Sequence, residues 1–446
     1  MSFSAAYLSA VLDAHAPVGA TGLVVALSGG ADSASLLAAA SSMTGFFRAL
    51  PVRAVHVDHG LQTAAAAFHE ACTALCRRLN ISLAVIPVAV RTAPGASIEA
   101  AARDARYAAL EAELLPGECL LTAHHSEDQA ETLLLQALRG AGLKGMSAMP
   151  ICRPFGRGWH LRPLLDVSQR ELLAFGASLT GAVVLDPMNE DLRFDRSYLR
   201  RQVWPLIESR WPGSASVLSR TARHVAVAQE LLDRAAADHV ARLRDGEALS
   251  VPGLRALRPQ ERIHAVRFWL CEAGVEPPST ARLTEALRQI FDAKADHLPT
   301  IAWGHCALRR YRDRVFLTVA EPPRLEGTRH WSVASGSRVG LGPNLGELRW
   351  AAHAGGIDAR RLPETLTVRR RAGGESLRPA AQASTASVQH LCQAQGVLPW
   401  MRDALPLVFA GDTLIAVADL WLDARWCVAP REPGFVIIWE QAPIIV

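Results

Sequence analysis

Leu23–Ala40 reads LVVALSGGADSASLLAAA, and the fold of the first half of the chain follows from it. Leu23 to Leu27 is an apolar run with the length and β-branching of a buried parallel strand. Ser28-Gly29-Gly30-Ala31-Asp32-Ser33 follows, then a leucine- and alanine-rich stretch that reads as a packed helix. Strand, glycine-rich turn and helix together present backbone N–H groups and a helix N-terminus to an anion. The glycines supply positive φ and close approach, and Ser28 and Ser33 add hydroxyls. A phosphate loop of the GxxxxGK[ST] type would carry a lysine, and none follows here. Asp32 sits in the cradle instead, where a bare carboxylate repels phosphate. That placement makes sense if a divalent cation, Mg²⁺, bridges the two. The plainer reading is an Asp-Ser pair capping an ordinary helix.

Outward from this stretch the pattern repeats. Val52 to Val57, Ser82 to Val88, Cys119 to Ala123 and Val183 to Leu185 read as further strands. Helical stretches intervene, one capped by Ser97 and two opened by capping boxes at Ser126-Glu127-Asp128-Gln129 and Ser168-Gln169-Arg170-Glu171. This alternation predicts an α/β fold with a doubly wound parallel sheet. Ligands then sit beyond the carboxyl ends of the strands, where the 28–33 loop, Asp58-His59 and His124-His125 all fall. Asp128 and Glu131 share a helix face just after the histidines. Glu127 reads as a complement to the helix dipole and nothing more.

Trp211-Pro212-Gly213-Ser214 breaks the pattern, and helical spacing runs from about Val217 to Arg244 and again near 259–274 and 280–293. A mainly helical middle domain closing on a strand at Val315 to Val319 is expected, then a linker at Glu321-Pro322-Pro323. Strand-like Leu366 to Arg370, Leu407 to Ala410 and Leu414 to Ala418 predict a small α+β domain. The expected boundaries are 1–212, 213–325 and 326–446.

With 446 residues there is ample material for separate cores. No run of eighteen apolar residues occurs, and the N-terminus lacks a basic leader, so a cytoplasmic protein without a membrane span is expected. None of the eight cysteines forms a CxxC pair. The net charge of +4 is modest, and its surplus lies in residues 213–330, so any polyanion surface is local. Candidates are Arg309-Arg310 with Arg312 and Arg314, and Arg369-Arg370-Arg371.

The SGGxDS loop resembles the pyrophosphate loop of the N-type ATP pyrophosphatases (PP-loop enzymes), which cleave ATP to AMP and diphosphate while adenylating a substrate oxygen. Further stretches narrow the likeness. His56-Val57-Asp58-His59-Gly60-Leu61, Ala102-Arg103 with Arg106-Tyr107, Thr122-Ala123-His124-His125 through Glu131-Thr132, and Arg139-Gly140 with Gly142 resemble the tRNA(Ile)-lysidine synthases. So do Arg162-Pro163-Leu164-Leu165 and Asp186-Pro187-Met188-Asn189 with Asp191, and, more faintly, Arg369 to Pro406. Ser197 and Met188 depart from the family pattern, as does Gln389-His390-Leu391-Cys392.

The resemblance implies a ligase that joins L-lysine to C2 of the wobble cytidine of CAU-anticodon tRNA(Ile) at the expense of ATP with Mg²⁺. It implies Ser28, Gly29, Gly30, Ala31, Asp32, Ser33 and His56 at ATP, with Asp32 and Asp128 as metal ligands, or with Asp128 holding the lysine instead. Asp32, Asp128, Glu131, His125 and Arg196 would be catalytic, with Glu131 or His125 taking the lysine proton. Arg103, Arg106, His124, Arg200 and Arg369-Arg370-Arg371 would contact substrate or tRNA, and the two later domains would hold the tRNA body. A homodimer is compatible with all of this. A tRNA-thiolating enzyme with the same loop, or a non-catalytic nucleotide-binding regulator, are the alternatives.

Overall fold

The computed structural model describes residues 2–43, 49–58, 65–90, 98–177, 194–293, 298–334, 336–380 and 384–443. The chain divides into two compact units, Met1–Leu232 and Asp233–Val446.

In the first unit, Ala5–His15 (α1) leads into Gly22–Ala26 (β1) and Ala31–Ser41 (α2). Val52–Asp58 (β2), Ala65–Leu79 (α3), Ser82–Pro87 (β3), Ile98–Glu113 (α4) and Glu118–Leu121 (β4) follow. Then come Ser126–Leu138 (α5), Leu143–Met146 (α6), Cys152–Phe155 (β5), Gly158–Leu161 (β6) and Gln169–Ala177 (α7). One sheet runs in the order β3-β2-β1-β4-β6-β5. Every neighbouring pair is parallel except the β5–β6 hairpin at the edge. Side chains alternate across β1 as a strand requires. Leu23, Val25 and Leu27 pack with Leu8, Leu36 and Leu37, whereas Val24 joins Val55, Leu110, Leu114 and Leu120 on the opposite face. Covering both faces is what makes the strand read as an unbroken apolar run.

Strand order reverses between β1 and β4, so a crevice opens at their carboxyl ends. The 28–33 loop lies on one side of it and residues 122–125 on the other. The expected parallel sheet is present, with its four strands placed within a residue or two. The expected fifth strand at 183–185 lies outside the described residues, as do Ser97, His59-Gly60-Leu61, Asp186 to Asn189 and Asp191. One cap differs from expectation. His125, not Ser126, is the N-cap of α5, because Asp128 Oδ2 accepts the His125 N–H at 3.1 Å. The Ser168 box forms as expected, with Ser168 N–H donating to Glu171 Oε2 at 3.0 Å.

At the opposite end of the strands, Arg53 of β2 forks onto Glu118 of β4 at 2.9 and 2.7 Å and reaches Glu113 at 2.9 Å. Leu115 N–H adds a fourth bond at 2.8 Å. Burial pushes the Glu118 carboxyl up, but the Arg53 fork and the Leu115 N–H outweigh it and hold it below the usual range. Such a depressed carboxyl contributes stability above the ordinary glutamate range and loses it as pH falls through the lowered value. Glu118→Gln should therefore cost about 1–3 kcal/mol at pH 7. In urea titrations the gap from wild type should narrow as pH drops below 4.

After α7, Asp195–Tyr198 (α8) passes through a π-turn, Leu199–Val203, into Trp204–Arg210 (α9). Pro205 has no N–H to offer the preceding turn, and the Trp204 N–H reaches back to the Leu199 carbonyl instead. Arg196 and Arg200 are thereby set on one face.

The long helix Ser214–Leu243 (α10) carries the chain into the second unit. There, helices Val251–Ala256, Pro259–Glu272 and Thr280–Asp292 pack around Trp269, Leu270, Leu283, Leu287 and Ile290. They lie on a five-stranded antiparallel sheet. Its strand Arg314–Val319 was expected; the strands Ala248–Ser250, Thr300–Trp303 and Cys306–Tyr311 were not. The remainder is β-rich: among the described residues a five-stranded and a three-stranded sheet lie around Trp331, Trp350, Leu366 and Ile415, with a two-stranded sheet and an α-helix at Val388–Gln395. The strands expected near 366–370, 407–410 and 414–418 are Thr365–Arg369, Leu407–Ala410 and Thr413–Val417. No helix among the described residues is long and apolar enough to cross a membrane.

Candidate active site

The loop after β1 is closed on itself by its own serines. Ser28 N–H donates to Ser33 Oγ at 3.1 Å, Ser33 Oγ donates to the Gly30 carbonyl at 3.0 Å, and the two hydroxyls meet at 3.0 Å. Gly29 has φ +86°, and a Cβ there would come within 2.7 Å of the Phe68 ring, so only glycine fits. Gly30 caps α2, placing Ala31, Asp32 and Ser33 in its first turn. His56 is buried, with Nδ1 2.8 Å from the Leu27 carbonyl, so its ring is tied to the root of the loop.

Asp32 reaches the crevice from α2. Its Oδ2 accepts from Gln169 Nε2 at 3.3 Å and lies 3.7 Å from His125 Nε2. Its Oδ1 is buried and has no hydrogen-bond partner. Burial pushes the Asp32 carboxyl above its ordinary range, with His125 and Gln169 opposing.

Across the crevice, α5 contributes four charged groups. His125 Nδ1 donates to Glu127 Oε2 at 2.9 Å, and its Nε2 lies 3.4 Å from Asp128 Oδ2. Burial works against the imidazolium, yet the Glu127 hydrogen bond with Asp128 and Asp32 raises its proton affinity above normal. With carboxylates at both nitrogens, His125 is held as a donor. Burial favours the neutral acid at Asp128, but His125, Arg196, His124 and Arg200 outweigh it and bring the carboxyl down to about 2. Glu131 is almost wholly buried. Arg196 Nε meets its Oε2 at 2.9 Å, and Arg200 meets Oε1 at 2.7 Å and Oε2 at 2.9 Å. The same two guanidiniums reach Asp128 Oδ1 at 3.3 and 3.1 Å. A pair of arginines thus clasps a pair of carboxylates.

His124 turns the other way. Thr122 Oγ1 bonds His124 Nδ1 at 2.8 Å and His160 Nε2 at 2.9 Å, and His160 Nδ1 meets Arg162 Nη2 at 3.2 Å. Burial drives His124 down to about 3, so it is neutral. Arg103 and Arg106 stack on Tyr107 at 5.4 and 5.6 Å, with Arg103 exposed.

The structure therefore brings Ser28–Ser33, Asp32, His125, Asp128, Glu131, Arg196 and Arg200 together. Glu127 and Gln169 join them: Glu127 does more than complement the helix dipole, and nothing in the sequence around Gln169 marks it for this place.

In the second unit the arginine candidates are mostly engaged. Arg309 donates to Thr318, Thr300 and the Ala320 carbonyl, and Arg310 caps the carbonyls of Ile290 and Ala293. Arg314 pairs with Asp245, and Arg312 donates to the Gln393 carbonyl. Arg369 lies 4.0 Å over Phe409 and meets Glu375 at 3.2 Å; Arg371 pairs with Asp403 at 3.6 Å; Arg370 is exposed.

A family model of the PP-loop domain matches residues 5–207. Models of the TilS substrate binding domain and the TilS substrate C-terminal domain match residues 249–316 and 366–439. The tRNA(Ile)-lysidine synthase of Alkalilimnicola ehrlichii is 39% identical, covering 95% of this chain and 94% of its own. That of Methylococcus capsulatus is 38% identical, covering 93% and 95%. A solved U34-tRNA thiolase NcsA from Methanococcus maripaludis is 15% identical, with a TM-score of 0.40, over 49% of this chain and 77% of its own. Three domain matches in succession, and relatives sharing over a third of its residues along nine-tenths of its length, place the chain in the tRNA(Ile)-lysidine synthase family.

Proposed function

We infer that the chain ligates L-lysine to C2 of the wobble cytidine (position 34) of CAU-anticodon tRNA(Ile), consuming ATP and releasing AMP and diphosphate. The cytidine C2 oxygen attacks the α-phosphorus, the bond to the β-phosphate breaks, and diphosphate leaves. Lysine's ε-amine then attacks C2 of the O-adenylated base, and the C2–O bond breaks to release AMP. The cytidine must be extruded from its stack for either step.

One observation carries the assignment. Asp32 and Asp128, from the first turns of helices on either side of the strand-order reversal, converge on a single imidazole beside a glycine loop. The diphosphate end of ATP belongs in the 28–33 loop, on the backbone N–H groups at the start of α2. Mg²⁺ fits at Asp32, whose Oδ1 is buried without a partner; Asp128 would add a second hard carboxylate by exchanging one of the contacts its oxygens now make to Arg196, Arg200 and His125. Among the described residues no group of three or more His, Cys, Asp and Glu could hold a metal unaided. Phosphate oxygens of the nucleotide would complete the shell of the ion. Bound there, it would neutralise charge on the departing diphosphate.

Arg196 and Arg200 fix Asp128 and Glu131, where the amine of lysine would be received. Glu131 rather than His125 takes the lysine proton, because both His125 nitrogens already face carboxylates while Glu131 Oε1 receives one N–H and keeps an acceptor site. Neutral His124 and the Arg103–Arg106 pair supply contacts to the base and its phosphates. Residues 213–325 and 326–446 form the two tRNA-binding parts, consistent with the substrate-domain matches, and Arg370 is the member of its triplet open to phosphate. Incubation with ATP, labelled lysine and unmodified CAU-anticodon tRNA should transfer label to the tRNA. Release of AMP without label in the tRNA would remove the assignment.

A further inference from the structure

Gln169 lies at the start of α7, remote in sequence from both the loop and α5, yet it touches both. Its Nε2 donates to Asp32 Oδ2 at 3.3 Å, and its backbone N–H donates to Glu127 Oε2 at 3.0 Å. The same Glu127 oxygen accepts His125 Nδ1–H at 2.9 Å and the Ser126 hydroxyl at 2.9 Å. His125 Nε2 returns to Asp32 Oδ2 at 3.7 Å. Asp32, Gln169, Glu127 and His125 thus close a ring across the beginnings of α2, α5 and α7.

We propose that Glu127 and Gln169 are positioning residues for Asp32: through this ring they hold its Oδ2 and keep its Oδ1 unengaged for the cation that accompanies ATP. The proposal rests on the assignment of Asp32 to that cation. Its physical basis is rotamer control. A carboxylate with both oxygens loose samples several orientations, whereas one held at a single oxygen by an amide donor and an adjoining imidazole ring presents its second oxygen in one direction. Outer partners of ligating carboxylates are worth 10–100-fold in metal affinity. An exposed polar contact that only joined helix ends would have no such effect.

The test uses the full chain with Gln169→Met and Glu127→Gln. Met keeps the shape of Gln169 and the backbone N–H to Glu127 but cannot donate to Asp32. Because Gln169 is exposed, the fold is not at risk. Mn²⁺ serves as the probe, its binding to the protein–ATP complex read by electron paramagnetic resonance without tRNA or lysine. Both variants should weaken Mn²⁺ binding about tenfold. The Mg²⁺ concentration that half-saturates ATP–pyrophosphate exchange should rise by the same factor, with the KM for lysine unchanged. In ¹⁵N spectra, Glu127→Gln should also move the His125 Nδ1 resonance. If wild type binds Mn²⁺ with ATP and both variants match it, the ring proposal fails and the assignment of Asp32 stands. If wild type shows no ATP-dependent Mn²⁺ binding, the assignment of Asp32 fails and the ring proposal with it.

Discussion

Asp32→Asn is expected to abolish ATP–pyrophosphate exchange while raising the melting temperature of the nucleotide-free protein. The two effects share one cause. Asp32 Oδ1 is buried without a partner, and Asp128 stands across the same imidazole. The folded protein therefore disfavours the ionised form, which is the sense of its raised pKa. A carboxyl shifted upward gives its stability at low pH and forfeits it as pH rises through the ordinary aspartate range to the raised value. At neutral pH the charge is thus carried at a cost, and removing it recovers part of that cost. Each recovered kcal/mol is worth about 2–4 °C in a domain of this size. The same charge is what the nucleotide's cation needs, so the adenylation rate should fall by on the order of 10³-fold. Stability held back at a site in this way is a usual mark of function. Differential scanning calorimetry in chelator and a pyrophosphate exchange assay read the two halves. A variant that melts earlier than wild type would show that Asp32 is instead a structural cap.

How much of this was legible in the sequence varies with the range of the interaction. The strand at Leu23–Leu27 and its loop are local: apolar run, glycines and a following helix can be read from adjacent residues, and the structure places them as expected. Strand ends were legible for the same reason, which put Asp32, His125 and Asp128 on one edge before any geometry. Tertiary partners were not. Nothing near Gln169 distinguishes it from any other polar residue in a first turn, because its two bonds reach residues 137 and 42 positions away. Arg309 and Arg310 look like a basic patch in the sequence. In the fold, most of their donors are spent on carbonyls at the end of a helix and on strand neighbours. The N-cap of α5 slipped by one residue because Ser126 has Gln129 three residues on and His125 has Asp128, either of which can close a capping box, and only the backbone at His125 settles which N–H Asp128 receives. The strand Thr300–Trp303 escaped because it is only half-buried and lacks a clean apolar alternation.

Glu131→Gln is expected to separate the two half-reactions. Free lysine has a side-chain pKa near 10.4, so about one molecule in a few thousand is neutral at pH 7. Left uncorrected, that shortage costs roughly 4–5 kcal/mol in the second step. A carboxylate beside the amine can take the proton as the C–N bond forms, an effect commonly worth about 10²–10⁴-fold. Glu131 Oε1 accepts a single N–H and so retains a lone pair for this, whereas the amide of the glutamine variant does not have the basicity. In the variant, two guanidiniums would also face a neutral side chain with one accepting oxygen in place of two, while the Arg196 contacts to Asp128 would remain. Because Arg196 and Arg200 are partly exposed, water screens that loss, and a destabilisation of about 1–3 kcal/mol is expected rather than the full penalty of an unpaired buried ion. Adenylation of the cytidine uses none of these protons, so tRNA-dependent pyrophosphate exchange should persist while label transfer from lysine falls on the order of 10³-fold. Raising the pH should then restore part of the transfer, since more free amine enters the site unprotonated. Equal loss of both half-reactions, unaffected by pH, would mean that Glu131 only anchors the two arginines and that the lysine proton leaves by another group.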